Sequence, residues 1–323
     1  MSIFKELFEN NSGTNQYETE NNVIRKLSIK APAKINLHLE VLGKRPDGFH
    51  SLRSIFIMVN LFDSLVLEKK SSPGCGIEGF DGIAVQQNLI WRAYQEVSTE
   101  VSLPFGVEVC CEKRIPSMAG LGGGSSDAAA MLRGLETLMR DEEMDFDNTN
   151  FLKRIGERLG SDVPFFLGAP AAYVEGRGEI LRKLEKIRNE TILLIKPEID
   201  ISTREAFSLL DAGTSKGEKT LSGKEIIHAY NSLSPGNWPF FNSFTPLLID
   251  RHKRIGELLE ELRKTGADYV NVSGSGSAVY GVYEGEEKAK NAQITLKDKA
   301  KNVWKLKMLA SGPEAVYNEI RLE

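Results

Sequence analysis

The chain has 323 residues, of which 41% are hydrophobic, so it can bury a sizeable core and is long enough for two domains. Its 41 basic and 45 acidic residues give a net charge of −4, which argues against a broad nucleic-acid-binding surface. No segment approaches the ~18 apolar residues that a membrane span needs, and the polar leader, residues 1–26, lacks the features of a signal peptide. Because the three cysteines have no metal-ligand spacing, we expect reduced thiols in a cytoplasmic protein. The balanced charge and the lack of a long apolar segment predict neither a nucleic-acid nor a membrane partner.

The first half of the chain predicts alternating strands and helices. Apolar and polar residues alternate between residues 27 and 44, which is typical of a half-buried strand. Cys110 and Cys111 are adjacent in another predicted strand, so their side chains should point to opposite faces. The predicted elements are a strand over 27–44, a turn at Asp47-Gly48, two strand-like runs within 45–69, a helix over 86–100, a strand over 104–116, a helix over 145–160, and mostly strand and turn over 161–184.

The second half predicts a separate domain that begins near residue 190. This divides the chain into an N-terminal domain, 27–188, and a C-terminal domain, 189–323. Residues 190–197 open this domain, and its predicted elements are a polar loop of low order at 211–223, helices at 225–232 and 246–264, and a strand pair over 268–284.

A dense glycine run, Gly120–Gly124, stands between a predicted strand and a predicted amphipathic helix. The apolar residues that recur at helical spacing in this helix are Ala128, Met131, Leu132, Leu135, Leu138 and Met139. Glycines at such a place let backbone N–H groups converge on an anion, and the helix N-terminus adds its positive dipole end. We expect Ser125 and Ser126 to cap this helix and to offer hydroxyls to phosphate oxygens or a metal. No lysine follows as in a Walker A loop, and Ser125 stands where a dinucleotide fingerprint needs glycine. The run therefore indicates a phosphate-binding loop of another kind rather than a tight turn without a ligand.

The pattern from Pro116 to Ala129 resembles the second motif of the GHMP kinases, which cradles the phosphates of ATP. Segments 31–56 and 158–179 resemble one family of that group, the 4-diphosphocytidyl-2-C-methyl-D-erythritol kinases, and residues 271–283 resemble its third motif. The resemblance implies an α+β, two-domain GHMP kinase fold, with a ribosomal protein S5 domain 2-like N-terminal half and a ferredoxin-like C-terminal half.

The resemblance also implies ATP with Mg²⁺ as cofactor. No Asp/Glu cluster marks a metal site, so the metal ligands stay unassigned. Lys113 is a candidate neighbour of the adenine or the phosphates, although a solvated lysine at a strand end is an equal alternative. The other expected ATP-binding residues are Pro116, Ser117, Met118, Ala119, Gly120, Leu121, Gly122, Gly123, Gly124, Ser125 and Ser126.

Phosphoryl transfer needs positive charge at the transferring oxygens and a base for the accepting hydroxyl. Lys34, Asn36 and His38 share one strand face and could line one cleft, or could simply be its solvated side. The resemblance places Lys34 at the reacting centre and makes Asp162 the catalytic base, where spacing alone equally allows a residue that caps the next turn. A lysine near Asp162 would keep the carboxylate ionised and polarise the hydroxyl.

For the substrate, the resemblance implies that Phe49 and His50 hold a cytosine ring and that Phe207 covers its other face. Phe49 stands where tyrosine is commoner in the family, so stacking is retained while a hydroxyl contact is lost. Phe207 could equally be a core residue of an amphipathic helix. Asn36 and Thr203 are expected near the polyol and the diphosphate.

The implied reaction is transfer of the terminal phosphate of ATP to the 2-hydroxyl of 4-diphosphocytidyl-2-C-methyl-D-erythritol, in the non-mevalonate isoprenoid pathway, by a monomer or homodimer. One alternative keeps the fold with another acceptor, such as homoserine or mevalonate, but residues 46–52 favour a cytosine pocket. Another alternative is a non-catalytic nucleotide sensor, which need not retain both Lys34 and Asp162.

Overall fold

The computed structural model describes residues 26–79, 84–146, 150–212, 220–312 and 317–320. The predicted leader, 1–26, lies outside the described residues except for Lys26, where the first strand begins. The elements of the first half are β1 Lys26–Lys44, β2 His50–Lys70, β3 Gly74–Glu78, α1 Leu89–Glu100, β4 Gly106–Glu112, α2 Gly123–Asp141, α3 Phe151–Leu159, α4 Val163–Phe166, β5 Ala171–Gly176 and β6 Ile180–Lys183.

The second half continues the α+β pattern. Its elements are β7 Thr191–Ile195, α5 Thr203–Ala212, α6 Gly223–Ser232, α7 Thr245–Arg251, α8 Lys253–Lys264, β8 Tyr269–Val272, β9 Val279–Tyr283, α9 Glu286–Lys297, β10 Val303–Lys307 and β11 Tyr317–Ile320. Among the described residues, no helix is both long and apolar enough to cross a membrane.

Two sheets organise the described part of the chain. The larger sheet has the order β11-β1-β2-β4-β3. Strand β5 pairs with the N-terminal part of β2, residues 52–57, and β6 pairs with β5. In this sheet only β3 and β4 pair in parallel. The smaller antiparallel sheet has the order β10-β7-β9-β8. Helix α2 covers the larger sheet with the side chains predicted from its spacing, all of which are buried: Ala128, Met131, Leu132, Leu135, Leu138 and Met139.

The strand predicted over 27–44 is present as β1, but it is not half-buried. Ala31 through Glu40 are all buried, because the apolar side packs into a core shared with the second sheet and the polar side is covered as well. Lys34 lies over the Phe56 ring, and the His38 ring contacts Phe241. Periodicity identifies the two faces of a strand but not what is packed on the polar one.

Strand β2 is a single strand where the sequence predicts two runs. Pro32 pairs with Phe62 and Ala33 with Val59, so Asn60 and Leu61 have no partner on β1. A bulge absorbs these extra residues and lets one strand continue through the point where a break is expected.

One further prediction is wrong, a second is met with one addition, and a third lies partly outside the described residues. The helix expected over 246–264 is two helices, α7 and α8, because His252 leaves helical geometry at φ −132° and ψ 86°. Residues 161–184 contain the short helix α4 besides strands and turns. Of the predicted loop 211–223, Asp211 and Ala212 end helix α5, and 213–219 lie outside the described residues.

The cysteines follow the strand geometry. Cys110 and Cys111 lie on opposite faces of β4, with Cys111 buried in the core and Cys110 half-buried. Cys75 on β3 is also half-buried. All three are free thiols, and burial raises the pKa of Cys75 to about 12. High thiol pKa values disfavour the reactive thiolate at neutral pH.

Candidate active site

The glycine run forms the turn from β4 into α2. Met118, Gly120 and Gly122 have positive φ angles of 51°, 73° and 72°. Helix α2 begins at Gly123 with Gly122 as its N-cap, so the prediction that Ser125 and Ser126 cap the helix is wrong. The first intrahelical bond is donated by Ser126 N to the Gly122 carbonyl, at 2.9 Å. The preceding N–H groups of the first helical turn are therefore available to an anion, which is what a phosphate loop requires.

A cavity of about 910 Å³ lies against this turn. Its wall includes β1, the glycine turn, the loop before α4 and the start of α5. Among the predicted residues that line it are Lys34, Asn36, Lys113, Pro116, Ser117, Met118, Ala119, Gly120, Leu121, Gly122, Gly123, Gly124, Ser125, Asp162, Thr203 and Phe207. Of the predicted residues, Ser126, Phe49 and His50 are not part of this wall. Ser126 is buried, and its hydroxyl has no hydrogen-bond partner among the described residues.

Lys34 and Asp162 meet inside this cavity. The Lys34 Nζ lies 3.6 Å from Asp162 Oδ2 and 4.7 Å from the centre of the Phe56 ring. Asp162 precedes α4, but its side chain makes no capping hydrogen bond, so it is not the turn-capping residue that spacing also allowed. Burial lowers the pKa of the Lys34 ammonium, and the Asp162 carboxylate offsets part of that effect. The cavity therefore contains a buried cation beside a carboxylate whose side chain is 29% exposed.

Asn36 is the next member of this buried network. Its Oδ1 accepts a hydrogen bond from Lys34 Nζ at 2.6 Å, and its Nδ2 donates to Ser54 Oγ at 3.0 Å. The Ser54 hydroxyl in turn donates to the His38 carbonyl. A hydroxyl has one proton, so Ser54 can only accept from Asn36, and this fixes the amide with its oxygen toward the Lys34 ammonium.

The third motif packs directly on the glycine turn. Ser273 Oγ donates to the Gly120 carbonyl at 3.0 Å, and Ala278 N donates to the Ala119 carbonyl at 3.3 Å. Gly274 and Ser275 reach the cavity wall, where the Ser275 hydroxyl lies 3.3 Å from Thr203 Oγ1. The segment from the second half of the chain thus completes the wall that the glycine turn begins.

Two acids near Lys113 were not identified from the sequence. The Lys113 ammonium binds the carboxylates of Asp63 and Asp127, and Asp63 Oδ1 also accepts the backbone N–H groups of Arg114 and Ile115. Burial opposes the charge of Lys113, but the two carboxylates raise its pKa. Burial raises the pKa of Asp127 to about 7, and Lys113 works against that shift. Lys113 is therefore paired with acids at the cavity wall, whereas the sequence allowed a solvated strand-end lysine.

The aromatic residues at the substrate end are arranged differently from the expected sandwich. His50, not Phe49, faces Phe207, with ring centroids 4.7 Å apart and planes 28° apart. His50 Nε2 also lies 2.7 Å from Asp211 Oδ1. Phe49 is 54% exposed, and the Arg177 guanidinium lies 4.8 Å from its ring centre.

Comparisons with known proteins agree with this geometry. Residues 88–169 match the family model for the GHMP kinases N terminal domain, and residues 228–302 match that for the GHMP kinases C terminal domain. A 4-diphosphocytidyl-2-C-methyl-D-erythritol kinase of Citrifermentans bemidjiense is 38% identical, over 83% of this chain and 94% of the relative. A kinase of the same name from Thermodesulfovibrio yellowstonii is 36% identical, over 82% and 93%.

The chain belongs to the 4-diphosphocytidyl-2-C-methyl-D-erythritol kinase family.

The crystal structure of a 4-(cytidine 5'-diphospho)-2C-methyl-D-erythritol kinase superposes with a TM-score of 0.73 at 33% identity, over 87% of this chain and 99% of that one. A homoserine kinase of Cytophaga hutchinsonii shares the fold, with a TM-score of 0.66 at 15% identity over 93% and 99%. As a 4-diphosphocytidyl-2-C-methyl-D-erythritol kinase family member, the chain is an ATP-dependent small-molecule kinase with the two-domain α+β GHMP fold. These findings confirm the predicted family, fold class and enzyme class.

Proposed function

We propose that the enzyme transfers the terminal phosphoryl group of ATP to the 2-hydroxyl of 4-diphosphocytidyl-2-C-methyl-D-erythritol, giving ADP and the 2-phosphate. Its similarity to kinases that are named for this substrate supports the acceptor. The observation that carries the proposal is the Lys34–Asp162 pair, 3.6 Å apart in the cavity that the glycine turn lines. We also propose that it works in the cytoplasm as a monomer or homodimer.

In this mechanism the ATP phosphates bind the free N–H groups at the start of α2. Asp162 accepts the proton of the substrate hydroxyl as the new O–P bond forms and the bond to the ADP oxygen breaks. The buried Lys34 ammonium holds the hydroxyl oxygen and stabilises the charge that develops on it. Asn36 keeps this ammonium in place through its 2.6 Å hydrogen bond.

Mg²⁺ is expected to arrive with the nucleotide. This ion keeps several waters and is held by one or two carboxylates together with substrate phosphates. The described residues contain no cluster of three or more metal-ligating side chains, but Asp127 lines the cavity and its buried Oδ1 has no hydrogen-bond partner. Asp127 therefore fits as the one protein carboxylate for an ion that neutralises charge on the phosphates when bound.

Next to the end of the cavity that Phe207 lines, we propose that Phe49, His50 and Phe207 bind the cytosine ring by stacking and by hydrogen bonds from His50. Asn36 and Thr203 would contact the polyol and the diphosphate. Because His50 and Phe207 contact each other directly, insertion of a base between them would require these rings to separate by about one ring thickness, ~3.5 Å.

The proposal is tested by ADP release from purified protein with MgATP and four acceptors: 4-diphosphocytidyl-2-C-methyl-D-erythritol, methylerythritol phosphate, homoserine and mevalonate. We expect strong turnover with the cytidyl compound alone. Turnover with another acceptor would retain the kinase and overturn the substrate. Binding of ATP without turnover of any acceptor would favour a nucleotide sensor.

A further inference from the structure

Arg177 occupies a turn between two glycines at the edge of the cavity. Gly176 and Gly178 have φ angles of 74° and 125°, and the Arg177 N–H donates to Glu179 Oε2 at 2.5 Å. A Cβ on Gly178 would lie 3.2 Å from Ser161 Cβ, so the turn packs closely on the residue before Asp162. The turn thus holds the backbone of Arg177 beside the proposed base.

The side chain of Arg177 extends toward the substrate end. Its guanidinium lies 4.8 Å from the centre of the exposed Phe49 ring, and the residue is part of the cavity wall. The packing on Ser161 and the contact with Phe49 therefore place Arg177 between the reacting centre and the proposed cytosine pocket.

Arg177 also differs from the other cations of the cavity wall. Among the described residues that line it, the cationic side chains are Lys34, Lys113 and Arg177. Lys34 is paired with Asp162, and Lys113 with Asp63 and Asp127. No described carboxylate lies within 4.0 Å of the Arg177 guanidinium. Of the acids around it, Asp47 pairs with Arg45 at 3.1 Å and Glu175 pairs with Arg182 at 3.3 Å.

We infer that Arg177 binds the diphosphate that joins the cytidine and methylerythritol parts of the substrate; this rests on the proposed function. If the accepting hydroxyl lies at Asp162 and the cytosine ring lies near Phe49, the diphosphate of the substrate must cross the space between Asp162 and Phe49. A guanidinium presents a planar pair of donors that matches a phosphate group. Contact with the Phe49 ring orients that plane before the substrate arrives, which reduces the entropy lost on binding.

The test compares binding of CDP with binding of cytidine by calorimetry, using the full-length wild type and the variants Arg177→Met and Arg177→Lys. Arg182→Met is the matched control, since Arg182 lies on the same hairpin with a side chain 66% exposed. We expect Arg177→Met to weaken CDP binding roughly 10- to 100-fold, as for a lost charged hydrogen bond, with cytidine and ATP-analogue binding within twofold of wild type. Arg177→Lys should recover part of the loss, and the control should behave as wild type.

Turnover separates this inference from the proposed function. If the wild type phosphorylates the cytidyl substrate, Arg177→Met should raise its KM by the same factor as the CDP dissociation constant, with the KM for ATP unchanged. Equal weakening of CDP and cytidine would overturn the inference, because Arg177 would then only order Phe49. Selective weakening of the ATP analogue would overturn it in favour of a nucleotide contact. If CDP binding depends on Arg177 but the wild type phosphorylates only another acceptor, the diphosphate site stands and the proposed substrate falls.

Discussion

Gly120 and Ser273 are in backbone contact across more than 150 residues of sequence: a Cβ on Gly120 would lie 2.0 Å from the Ser273 carbonyl oxygen. The φ angle of 73° at Gly120 is a second reason why a side chain does not fit there. Gly120 belongs to the run that predicts a phosphate loop, but its lack of a side chain is required by the close contact between the glycine turn and the third motif. Its neighbours in the run serve other purposes, since Gly122 packs against Phe166 and Lys34.

Gly120→Ala should lower the free energy of unfolding by more than ~2 kcal/mol, because strain and a backbone clash act together. Gly124→Ala is the control, since its Cβ would lie 3.8 Å from Leu89 Cδ1 and its position is helical. There we expect no loss, or a gain of up to ~1 kcal/mol. Denaturant unfolding without nucleotide measures both. Equal stability of the two variants would contradict the contact.

Asp162→Asn should reduce turnover ~10²- to 10⁴-fold, the usual range for a lost general base, while ATP binding stays within a few-fold of wild type. Asp200→Asn provides the control, because Asp200 is 67% exposed and pairs with Lys196 at the surface. Single-turnover phosphoryl transfer with both variants is the measurement. If Asp162→Asn lowers the rate of phosphoryl transfer less than tenfold, Asp162 is not the general base.

The alkaline limb of the pH–rate profile should lie below the ordinary lysine pKa of 10.5, because burial lowers the pKa of Lys34. Activity is lost as the pH rises through this lowered pKa, since the deprotonated amine no longer stabilises the developing charge. Between the folded and unfolded pKa values the unfolded chain binds more protons, so the contribution of Lys34 to the free energy of unfolding rises with pH. In Lys34→Arg, which stays charged, the limb should disappear from the residual activity. A limb unchanged in this variant would assign it to another group.

Ser54→Ala should leave the Asn36 amide without its acceptor and free it to turn its NH₂ group toward Lys34. We expect kcat to fall roughly 5- to 100-fold, in line with one lost buried hydrogen bond, with an unchanged KM for ATP. Ser28→Ala on β1, the strand that carries Asn36, is the comparison, because Ser28 is not part of the cavity wall. Equal kcat values for Ser54→Ala and the wild type would show that Asn36 is fixed without Ser54.

His50→Ala should raise the KM for the cytidyl substrate roughly 10- to 100-fold, by loss of stacking on the base, and leave the KM for ATP unchanged. Because His50 also pairs with Asp211, Asp211→Asn separates loss of the ring from loss of the ion pair. Steady-state kinetics in both substrates measures the effect. A rise only in the KM for ATP would exclude the substrate role.

Much of the fold follows from local pattern. Strand β1 and the buried face of α2 are present where the sequence predicts them, because each has strong periodicity, and the strand pair β8–β9 is present on either side of its glycine-rich turn. The predictions fail where one or two residues depart from the regular backbone geometry that a periodic pattern assumes. A bulge lets β2 continue as one strand, and the single residue His252 divides the predicted helix over 246–264.

The site shows the same division. The meeting of Lys34, Asp162 and the glycine turn in one cavity agrees with the sequence prediction, whereas the roles of the substrate residues stay predictions. Asp127 was missed although it directly follows the two serines of the glycine motif, on the first turns of α2. Arg177 was missed because a charged residue between two glycines indicates only a turn. The residues that they contact, Lys113 for Asp127 and Phe49 for Arg177, belong to other parts of the sequence.

The core shared by the two sheets has a consequence for recombining this enzyme with its relatives. Ile35 and Leu37 of β1 belong to the same buried cluster as Leu194 of β7 and Tyr280 of β9, and β11 pairs with β1. A chimera joined at residue 188 would therefore bring together two surfaces with unmatched side-chain shapes. Activity in such hybrids should depend on importing the facing residues together, so that the inherited unit is the matched interface rather than either half of the chain.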